Sequence, residues 1–172
     1  MSAAPKSAET DPIPRDRVRA RFWETVPLAR MTAREWEALC DGCGKCCLNK
    51  LEDEDTREVA LTRIACRLLD GETCRCMSYP TRRTYVPECV QLTAEGLKDT
   101  AYWMPETCAY RRLHLGQRLP DWHPLLTGTP ESVHAAGVSV RGWTVPEFTV
   151  DEDDDWEDHV VEEPLGPVEA LR

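Results

Sequence analysis

The sequence predicts a small, irregular α+β single domain of short helices and a β-hairpin, organised around a cysteine-rich region. Three observations lead to this prediction. The chain has 172 residues, of which 41% are hydrophobic and 7% aromatic, which suits one domain with a modest apolar core. Short helical and strand-like patterns follow one another without an internal repeat. All nine cysteines lie between positions 40 and 108, so we expect a bound metal to supplement that core.

The charge distribution divides the chain into a disordered N-terminus (1–14), a cysteine-cluster domain (15–145) and an acidic C-terminal tail (146–172). Up to residue 145 the chain has 20 acidic and 20 basic residues, whereas the tail has 11 acidic residues against Arg172 alone, so the net charge of −10 belongs to the tail. A neutral body lacks the basic surface that nucleic acid requires. The run Asp151–Asp155 is expected to be a solvated segment, available to a basic protein partner.

Two helices are predicted before the first cysteine. Arg15–Trp23 places Val18 and Phe22 four residues apart on one helical face. Further on, Thr32-Ala-Arg-Glu35 is a capping box, which predicts a short helix that begins after Thr32 and ends just before Cys40. The cysteine cluster therefore starts where a helix stops.

A β-hairpin is predicted in the middle of the chain. The Asp70–Gly71 pair is a strong turn signal between two segments, Glu58–Cys66 and Thr73–Met77. Such a hairpin would bring Cys74 close to the end of the first segment.

Two further helices are predicted over Thr93–Trp103 and Pro105–Leu115, the second with proline near its start. Cys108 would then lie in a first helical turn, where the helix dipole favours a thiolate. Arg111 and Arg112 would compensate its charge.

The last third of the chain has weaker patterns. Residues 121–128 predict a turn and a very short helix ended by glycine, and Gly137–Trp143 alternates like a strand. Trp156, Val160 and Val161 are expected to dock part of the acidic tail on the body.

The motif C-x2-C-x2-C-C at residues 40–47 is the strongest chemical signal. Nothing at the N-terminus resembles a secretory signal and no apolar run reaches the roughly 18 residues of a membrane span, so we expect a cytoplasmic protein without membrane contact. Cytosolic thiols stay reduced, which favours metal over disulfides. The spacing fits three ligands of a ferredoxin-type cluster, yet the usual C-x3-C-P is absent, and a zinc ribbon would need a second C-x2-C pair.

Adjacent cysteines rarely close on one ion, because the ring they would form is small and strained. Cys46 and Cys47 are therefore expected to serve different roles. Two four-thiolate sites would leave one cysteine over, whereas one such site would leave five. All nine are candidate ligands of zinc or of an iron–sulfur cluster: Cys40, Cys43, Cys46, Cys47, Cys66, Cys74, Cys76, Cys89 and Cys108.

Several segments then point to a family. They are Trp36–Cys47 (WEALCDGCGKCC), the run from Cys66 through Cys74-x-Cys76-x2-Tyr79 to Cys89, Pro105–Arg111 (PETCAYR) and Leu119–Gly128 (LPDWHPLLTG). In kind and order they resemble the bacterial CxxCxxCC family of zinc- or iron-chelating domains, in particular its YcgN-type branch, over about residues 20–163. The resemblance implies metal chelation and supplies no catalytic residue. The acidic tail and the wide interval between Tyr79 and Cys89 depart from the family pattern.

Some other polar residues lie near the motifs. His123 could be a ligand or proton carrier, but a histidine fixed by hydrogen bonds at a turn is the favoured interpretation. Tyr79 and Tyr110 could donate hydrogen bonds to cysteine ligands, although plain packing is favoured.

Three functions remain open. The first is a cytoplasmic metal-binding protein whose zinc or iron–sulfur centre is structural or carries electrons. The second is a redox or metallo-enzyme in which a spare thiol such as Cys47 reacts beside the metal. The chain has no phosphate loop, dinucleotide fingerprint, H-E-x-x-H or nucleophile elbow, so we favour a non-enzyme. The third is an adaptor or metal-delivery module that uses the acidic tail.

Overall fold

A four-stranded sheet is built around one central strand. The computed structural model describes residues 13–151 and 153–172, so most of the predicted disordered segment 1–14 lies outside the described residues. Strand β2 (Val59–Ala65) pairs antiparallel with β1 (Leu48–Glu52). Its other edge receives two short strands from the tail region, the parallel β5 (Val145–Pro146) and the antiparallel β6 (Val160–Val161).

The predicted segment Glu58–Cys66 pairs with β1 instead of forming the first strand of the hairpin, but a hairpin does form at the predicted Asp70–Gly71 turn. It consists of β3 (Leu69–Asp70) and β4 (Arg75–Cys76), which pair antiparallel with Leu69 opposite Cys76. The Asp70 carboxylate accepts hydrogen bonds from the backbone amides of Glu72 and Thr73 in the turn, at 2.9 and 3.0 Å. This is the local bonding that makes aspartate favourable in turns.

The helices are short, with at most six residues in any α-helix of the described chain. The α-helices are α1 (Phe22–Thr25), α2 (Ala33–Ala38), α3 (Arg82–Tyr85), α4 (Leu97–Thr100), α5 (Ala109–His114), α6 (Pro124–Thr127) and α7 (Ser132–Ala135). The 3-10 helices are Leu28–Arg30, Lys45–Cys47, Tyr79–Thr81, Glu147–Thr149, Trp156–His159 and Val168–Leu171. Helices of this length depend on tertiary packing for their stability. The whole is a small irregular α+β domain, as the sequence predicts.

The largest apolar core lies among the helices. Its buried residues come from α1, α2, α4, α5 and the segments beside them, and include Phe22, Leu39, Leu97 and Tyr110. Two smaller clusters surround Trp122 and the edge of the sheet. The cysteine loop after α2 contributes Cys40 to the surroundings of the first core and Cys43 to the cluster around Trp122.

The predicted helix over Arg15–Trp23 is wrong. Arg17 and Arg21 have positive φ angles of 55° and 50°, so helical structure begins at Phe22. Arg19 instead crosses to α2, where its guanidinium donates to both carboxylate oxygens of Glu35 at 2.7 and 2.6 Å. This segment therefore makes a tertiary ion pair with α2 and does not form the helix that its local pattern predicts.

The predicted strand over Gly137–Trp143 is also wrong. Both of its glycines have positive φ angles, 72° at Gly137 and 80° at Gly142, which bend the segment away from strand geometry. The alternation nevertheless reflects burial, since Val138 and Val140 are fully buried. In the described chain, no helix is both long and apolar enough to cross a lipid bilayer.

Candidate metal centre

Helix α2 positions the start of the cysteine loop. Its predicted capping box is confirmed, because Thr32 Oγ1 accepts from the Glu35 amide at 3.2 Å and the Thr32 amide donates to Glu35 Oε2 at 2.9 Å. The helix ends at Ala38, followed by its C-cap Leu39, which is fully buried. Cys40 is the next residue, so its position is fixed by a capped and packed helix.

Two glycines shape the loop. Gly42 and Gly44 have φ angles of +82° and +79°, which other residues rarely adopt. A Cβ on Gly44 would lie 2.7 Å from Val140 Cγ2, and one on Gly42 would lie 3.2 Å from Arg75 Nη2. The Val140 amide also donates to the Cys43 carbonyl at 2.9 Å. The loop is therefore pressed closely against its surroundings.

Helix α5 brings Cys108 to the same place from a distant part of the chain. The predicted helix over Pro105–Leu115 begins later than expected, at Ala109, and Cys108 is its N-cap. Tyr110 Oη donates to the Trp36 carbonyl at 2.7 Å, and their ring centroids are 4.9 Å apart. These contacts hold α5 against α2.

Three thiols from these two regions share one electrostatic environment. Burial raises the pKa of Cys40 to about 12, and the charges of Asp41 and Cys46 add to the rise. Burial also raises the pKa of Cys108, again with contributions from Asp41, Cys46 and Cys40. The pKa of Cys46, whose residue is exposed, is raised chiefly by a hydrogen bond with Cys47. In the metal-free protein these thiols are therefore protonated at neutral pH.

Cys43 is the fourth thiol of this group. It is 7% exposed and packs against Trp122. Burial raises its pKa, and the charges of Asp41 and Cys46 act in the same direction, while that of Lys45 lowers it.

Asp41 has an unusual position among these thiols. It is 5% exposed, and its Oδ1 accepts a hydrogen bond from the Cys43 amide at 3.0 Å. Its Oδ2 is buried and finds no hydrogen-bond partner among the residues that the structure describes. A buried carboxylate that is half unsatisfied favours a cation nearby.

This donor set fits a thiophilic metal. Four cysteine sulfurs are the ligands of structural zinc and of iron–sulfur clusters, and the unsatisfied Asp41 oxygen adds a negative charge beside them. Within residues 13–151 and 153–172, no three His, Cys, Asp or Glu side chains already lie close enough together to hold an ion. The thiols would therefore have to close in to hold a metal.

A second group of thiols lies beyond the end of β2. Burial raises the pKa of Cys66, and the charges of Glu147, Cys89 and Cys76 contribute to the rise. The hairpin thus brings Cys76 close to Cys66, whereas the sequence predicted that Cys74 would be the cysteine near Cys66. The expectation that all nine cysteines are ligands stays a prediction.

Cys74 has the surroundings of a packed core residue. It is 5% exposed and belongs to the apolar cluster of Leu48, Ala65 and Val140. Its pKa is raised by burial and lowered by a hydrogen bond with Ser139.

The sequence reasoning missed the role of Lys45 inside the motif. Its side chain is fully buried, and Nζ donates to Thr107 Oγ1 at 2.8 Å, Glu163 Oε1 at 3.0 Å and the Pro164 carbonyl at 2.6 Å. Glu163 also accepts from the Glu106 amide at 3.0 Å. One ion pair thus joins the cysteine loop, the residues before Cys108 and the acidic tail. No spacing pattern in the sequence indicates a contact between residues this far apart.

His123 is fixed in place at both ring nitrogens. It is fully buried, Nε2 lies 2.9 Å from the Leu39 carbonyl, and Nδ1 accepts from the Leu125 amide at 3.0 Å. This confirms the interpretation of a hydrogen-bonded histidine at a turn. The two tyrosines considered as donors to cysteine have other hydroxyl partners. Tyr79 Oη donates to Glu37 Oε2 at 3.1 Å, and Tyr110 Oη donates to the Trp36 carbonyl.

The two arginines that the sequence suggested as compensating charges for Cys108 hydrogen-bond to backbone carbonyls. Arg111 donates to the Met104 carbonyl, and Arg112 donates to the Leu171 carbonyl at 2.7 Å. The backbone amide of Arg111, rather than a guanidinium, lowers the pKa of Cys108.

Two other cations act on the thiols. The charge of Arg75 lowers the pKa of Cys40, and that of Lys50 lowers the pKa of Cys46. Burial in turn lowers the pKa of Lys50, whose Nζ donates to the Leu48 carbonyl at 2.7 Å. These cations would offset the negative charge of a thiolate centre.

Comparisons with known proteins agree with the chemistry of this region. The model of the CxxCxxCC family, described as a "putative zinc- or iron-chelating domain", matches residues 39–109. A UPF0260 protein of Rhodobacter capsulatus is 61% identical over 146 residues, covering 85% of this chain and 97% of the relative. One of Rhizorhabdus wittichii is 62% identical over 144 residues, covering 84% and 96%. One of Shewanella frigidimarina is 58% identical over 130 residues, covering 76% and 87%. No solved structure matches the chain.

Proposed function

Since this chain belongs to the UPF0260 family of bacterial proteins, we propose that it binds zinc or an iron–sulfur cluster through a first centre formed by Cys40, Cys43, Cys46 and Cys108. The resemblance inferred from motif order is confirmed by this membership and by the matching chelating domain. The role of the centre is to hold the fold together or to carry electrons.

The observation that carries this proposal is the approach of Cys108 to the loop. The charges of Cys40 and Cys46 both raise the pKa of Cys108, although Cys108 lies more than 60 positions further along the chain. Three thiols spaced C-x2-C-x2-C need a remote fourth ligand to complete a tetrathiolate site. Cys108 supports that role because α5 packs on the helix that delivers Cys40.

The two metals would give the protein different roles. Zinc has no redox chemistry, so a zinc centre would stabilise the loop between α2 and β1 and the start of α5. An iron–sulfur cluster would accept and release an electron, with a potential tuned by nearby charges and backbone amides. In both cases Arg75 and Lys50 would offset the thiolate charge.

The test is anaerobic purification of the whole chain followed by metal and sulfide analysis and an absorption spectrum. Iron with acid-labile sulfide and a brown colour would support a cluster, and stoichiometric zinc in a colourless protein would support a structural ion. Well-folded protein that contains neither metal, and that takes up neither when the metals are supplied, would contradict the proposal.

A matched pair of variants locates the site. Cys108→Ser removes a proposed ligand, because a hydroxyl is a poor ligand for a soft metal. Cys74→Ser changes a core cysteine that we place outside the centre. We expect the first variant to lose bound metal and the second to keep it.

We further propose that the protein acts in the reducing cytoplasm and presents its acidic run to a basic protein. Asp151, Asp153, Asp154 and Asp155 are all exposed, so their charge is available to a partner. Replacing these four by asparagine leaves β6 and Glu163 in place. The variant should lose a basic partner that co-purifies with the native protein, and unchanged recovery of every partner would contradict this proposal.

A further inference from the structure

We propose that the chain carries a second, separate thiolate centre for a thiophilic metal ion such as Zn²⁺, formed by Cys47, Cys66, Cys76 and Cys89. The inference deepens the proposed function and rests on it for the choice of a soft metal. It rests on the backbone geometry at the end of β2, which is independent of the first centre.

The pairing of β1 with β2 brings Cys47 to Cys66. Leu48 is the register partner of Ala65, and one step further the Cys66 amide donates to the Cys47 carbonyl at 2.9 Å. Residues opposite each other in an antiparallel pair have Cβ atoms about 4.5–5.5 Å apart. The two cysteines are therefore cross-strand neighbours where the ladder ends.

The hairpin returns Cys76 to the same corner. The Leu69 amide donates to the Cys66 carbonyl at 2.9 Å, and Leu69 is the register partner of Cys76. The Met77 amide also donates to the Leu68 carbonyl at 2.8 Å, which continues the pairing beyond Cys76. Two successive contacts thus connect Cys66 to Cys76.

The segment after α3 supplies Cys89. The guanidinium of Arg67, the residue after Cys66, donates to the Tyr85 carbonyl at the end of α3. The Cys89 amide then donates to the Val86 carbonyl at 3.0 Å, so the chain turns back at this point.

The four thiols are the metal donors that we propose at this corner, because the nearby carboxylate of Glu147 is engaged in hydrogen bonds. Glu147 already accepts from the Arg67 amide at 3.0 Å and from Asn49 Nδ2 at 3.2 Å. All four cysteines are partly exposed, and, like the first set, they would have to move closer together to hold an ion.

The adjacent cysteines Cys46 and Cys47 then serve different centres. Both lie in the 3-10 helix Lys45–Cys47, and one ion would have to close a small, strained ring to bind both. The Cys47 carbonyl accepts from the Cys66 amide, which ties Cys47 to the second group of thiols. With Cys74 buried in the core, the nine cysteines divide into two sets of four and one left over.

The test is an anaerobic titration of the reduced, metal-free full chain with Co²⁺, whose thiolate complexes absorb in the visible and near ultraviolet. We expect about two equivalents of Co²⁺ per chain for the native protein and for Cys74→Ser. Cys89→Ser and Cys108→Ser should each bind about one equivalent, and the double variant should bind none. Cys76→Ser serves as a second probe of the same centre if Cys89→Ser does not fold.

The outcomes separate the two proposals. A native stoichiometry of about one that is lost in Cys108→Ser and kept in Cys89→Ser overturns the second centre and leaves the first intact. A stoichiometry of about one that is lost in Cys89→Ser alone overturns the first centre and supports the second. Thiolate bands that are absent from the native protein overturn both.

Discussion

Lys45 connects the cysteine loop to the acidic tail. Its charge is fully buried and is neutralised by Glu163, which is itself only 19% exposed. Because the hydroxyl of Thr107 and the carbonyl of Pro164 complete its hydrogen bonds, the ammonium group is satisfied only while the tail is in place. The acidic tail is therefore part of the site, as well as a source of net charge.

Removing the carboxylate should destabilise the protein. We expect Glu163→Gln to lower the free energy of unfolding of the metal-free protein by about 3 kcal/mol, because breaking a buried pair leaves an uncompensated charge. Urea denaturation followed by circular dichroism measures this. Glu162→Gln, at an exposed neighbouring position, is the control and should change stability by less than about 0.5 kcal/mol. Equal effects of the two changes would mean that the pair does not stabilise the fold.

Gly44 offers a second test, with a glycine of the same conformation as its control. Gly44 and Gly128 have φ angles of +79° and +77°, but a Cβ would meet Val140 at 2.7 Å in the first case and nothing within 4 Å in the second. Gly128→Ala should cost roughly 1–2 kcal/mol for the left-handed backbone alone. Gly44→Ala should cost about 1–3 kcal/mol more because of overpacking. Thermal or chemical denaturation measures the stability of both variants. Similar losses of stability in the two would contradict a close contact between Gly44 and Val140.

Among the elements, α2 shows what local sequence determines. Its capping box uses residues three apart, so the start of the helix could be read directly and was predicted correctly. The turn at Asp70 is similarly local. The segment Arg15–Trp23 was misread because its conformation depends on Glu35, which lies in another helix.

The cap gives a prediction for this helix. Thr32→Ala should lower the free energy of unfolding by about 1 kcal/mol, since the first-turn amide of Glu35 loses its acceptor. Thr32→Ser keeps a hydroxyl at the cap and serves as the control. Equilibrium unfolding in urea compares the two with the native protein. An alanine variant as stable as the serine variant would show that the cap contributes nothing.

The strands show the limit of such reasoning. Strand β1 escaped prediction, and the segment Gly137–Trp143 was given a strand that it lacks. In the second place the backbone partner lies far away in sequence, since the Val140 amide bonds to Cys43, whereas β1 pairs with the next strand, β2. Short strands of this kind are decided by tertiary packing rather than by alternation.

For the molecule as a whole, the candidate site was predictable in its ligand type but not in its grouping. The spacing of Cys40, Cys43 and Cys46 indicated metal from the sequence alone. That the charges of Cys40 and Cys46 act on Cys108, and that Cys76 rather than Cys74 approaches Cys66, follows from how α5 and the hairpin pack. Such long-range pairings leave no spacing pattern in a single sequence.

Metal binding by the whole protein should depend steeply on pH. Burial raises the pKa of Cys40 to about 12, so at neutral pH protons occupy the thiols and compete with the metal. The affinity for the metal should therefore rise with pH. For each thiol that must lose its proton, the affinity should fall roughly tenfold per unit decrease in pH. Isothermal titration calorimetry of Zn²⁺ in buffers of different ionisation enthalpy counts the protons released.

We expect Cys108→Ser, which removes one thiol, to release fewer protons than the native protein. Binding that is equally tight at pH 6 and pH 8, without proton release, would mean that thiols are not the ligands.

X-ray absorption at the metal edge of the anaerobically purified protein identifies the donor atoms themselves. We predict a first shell of sulfur alone at about 2.3 Å, because every proposed ligand is a cysteine thiolate. A shell of nitrogen or oxygen donors at about 2.0–2.1 Å would instead contradict the thiolate centre and direct attention to the unpartnered oxygen of Asp41.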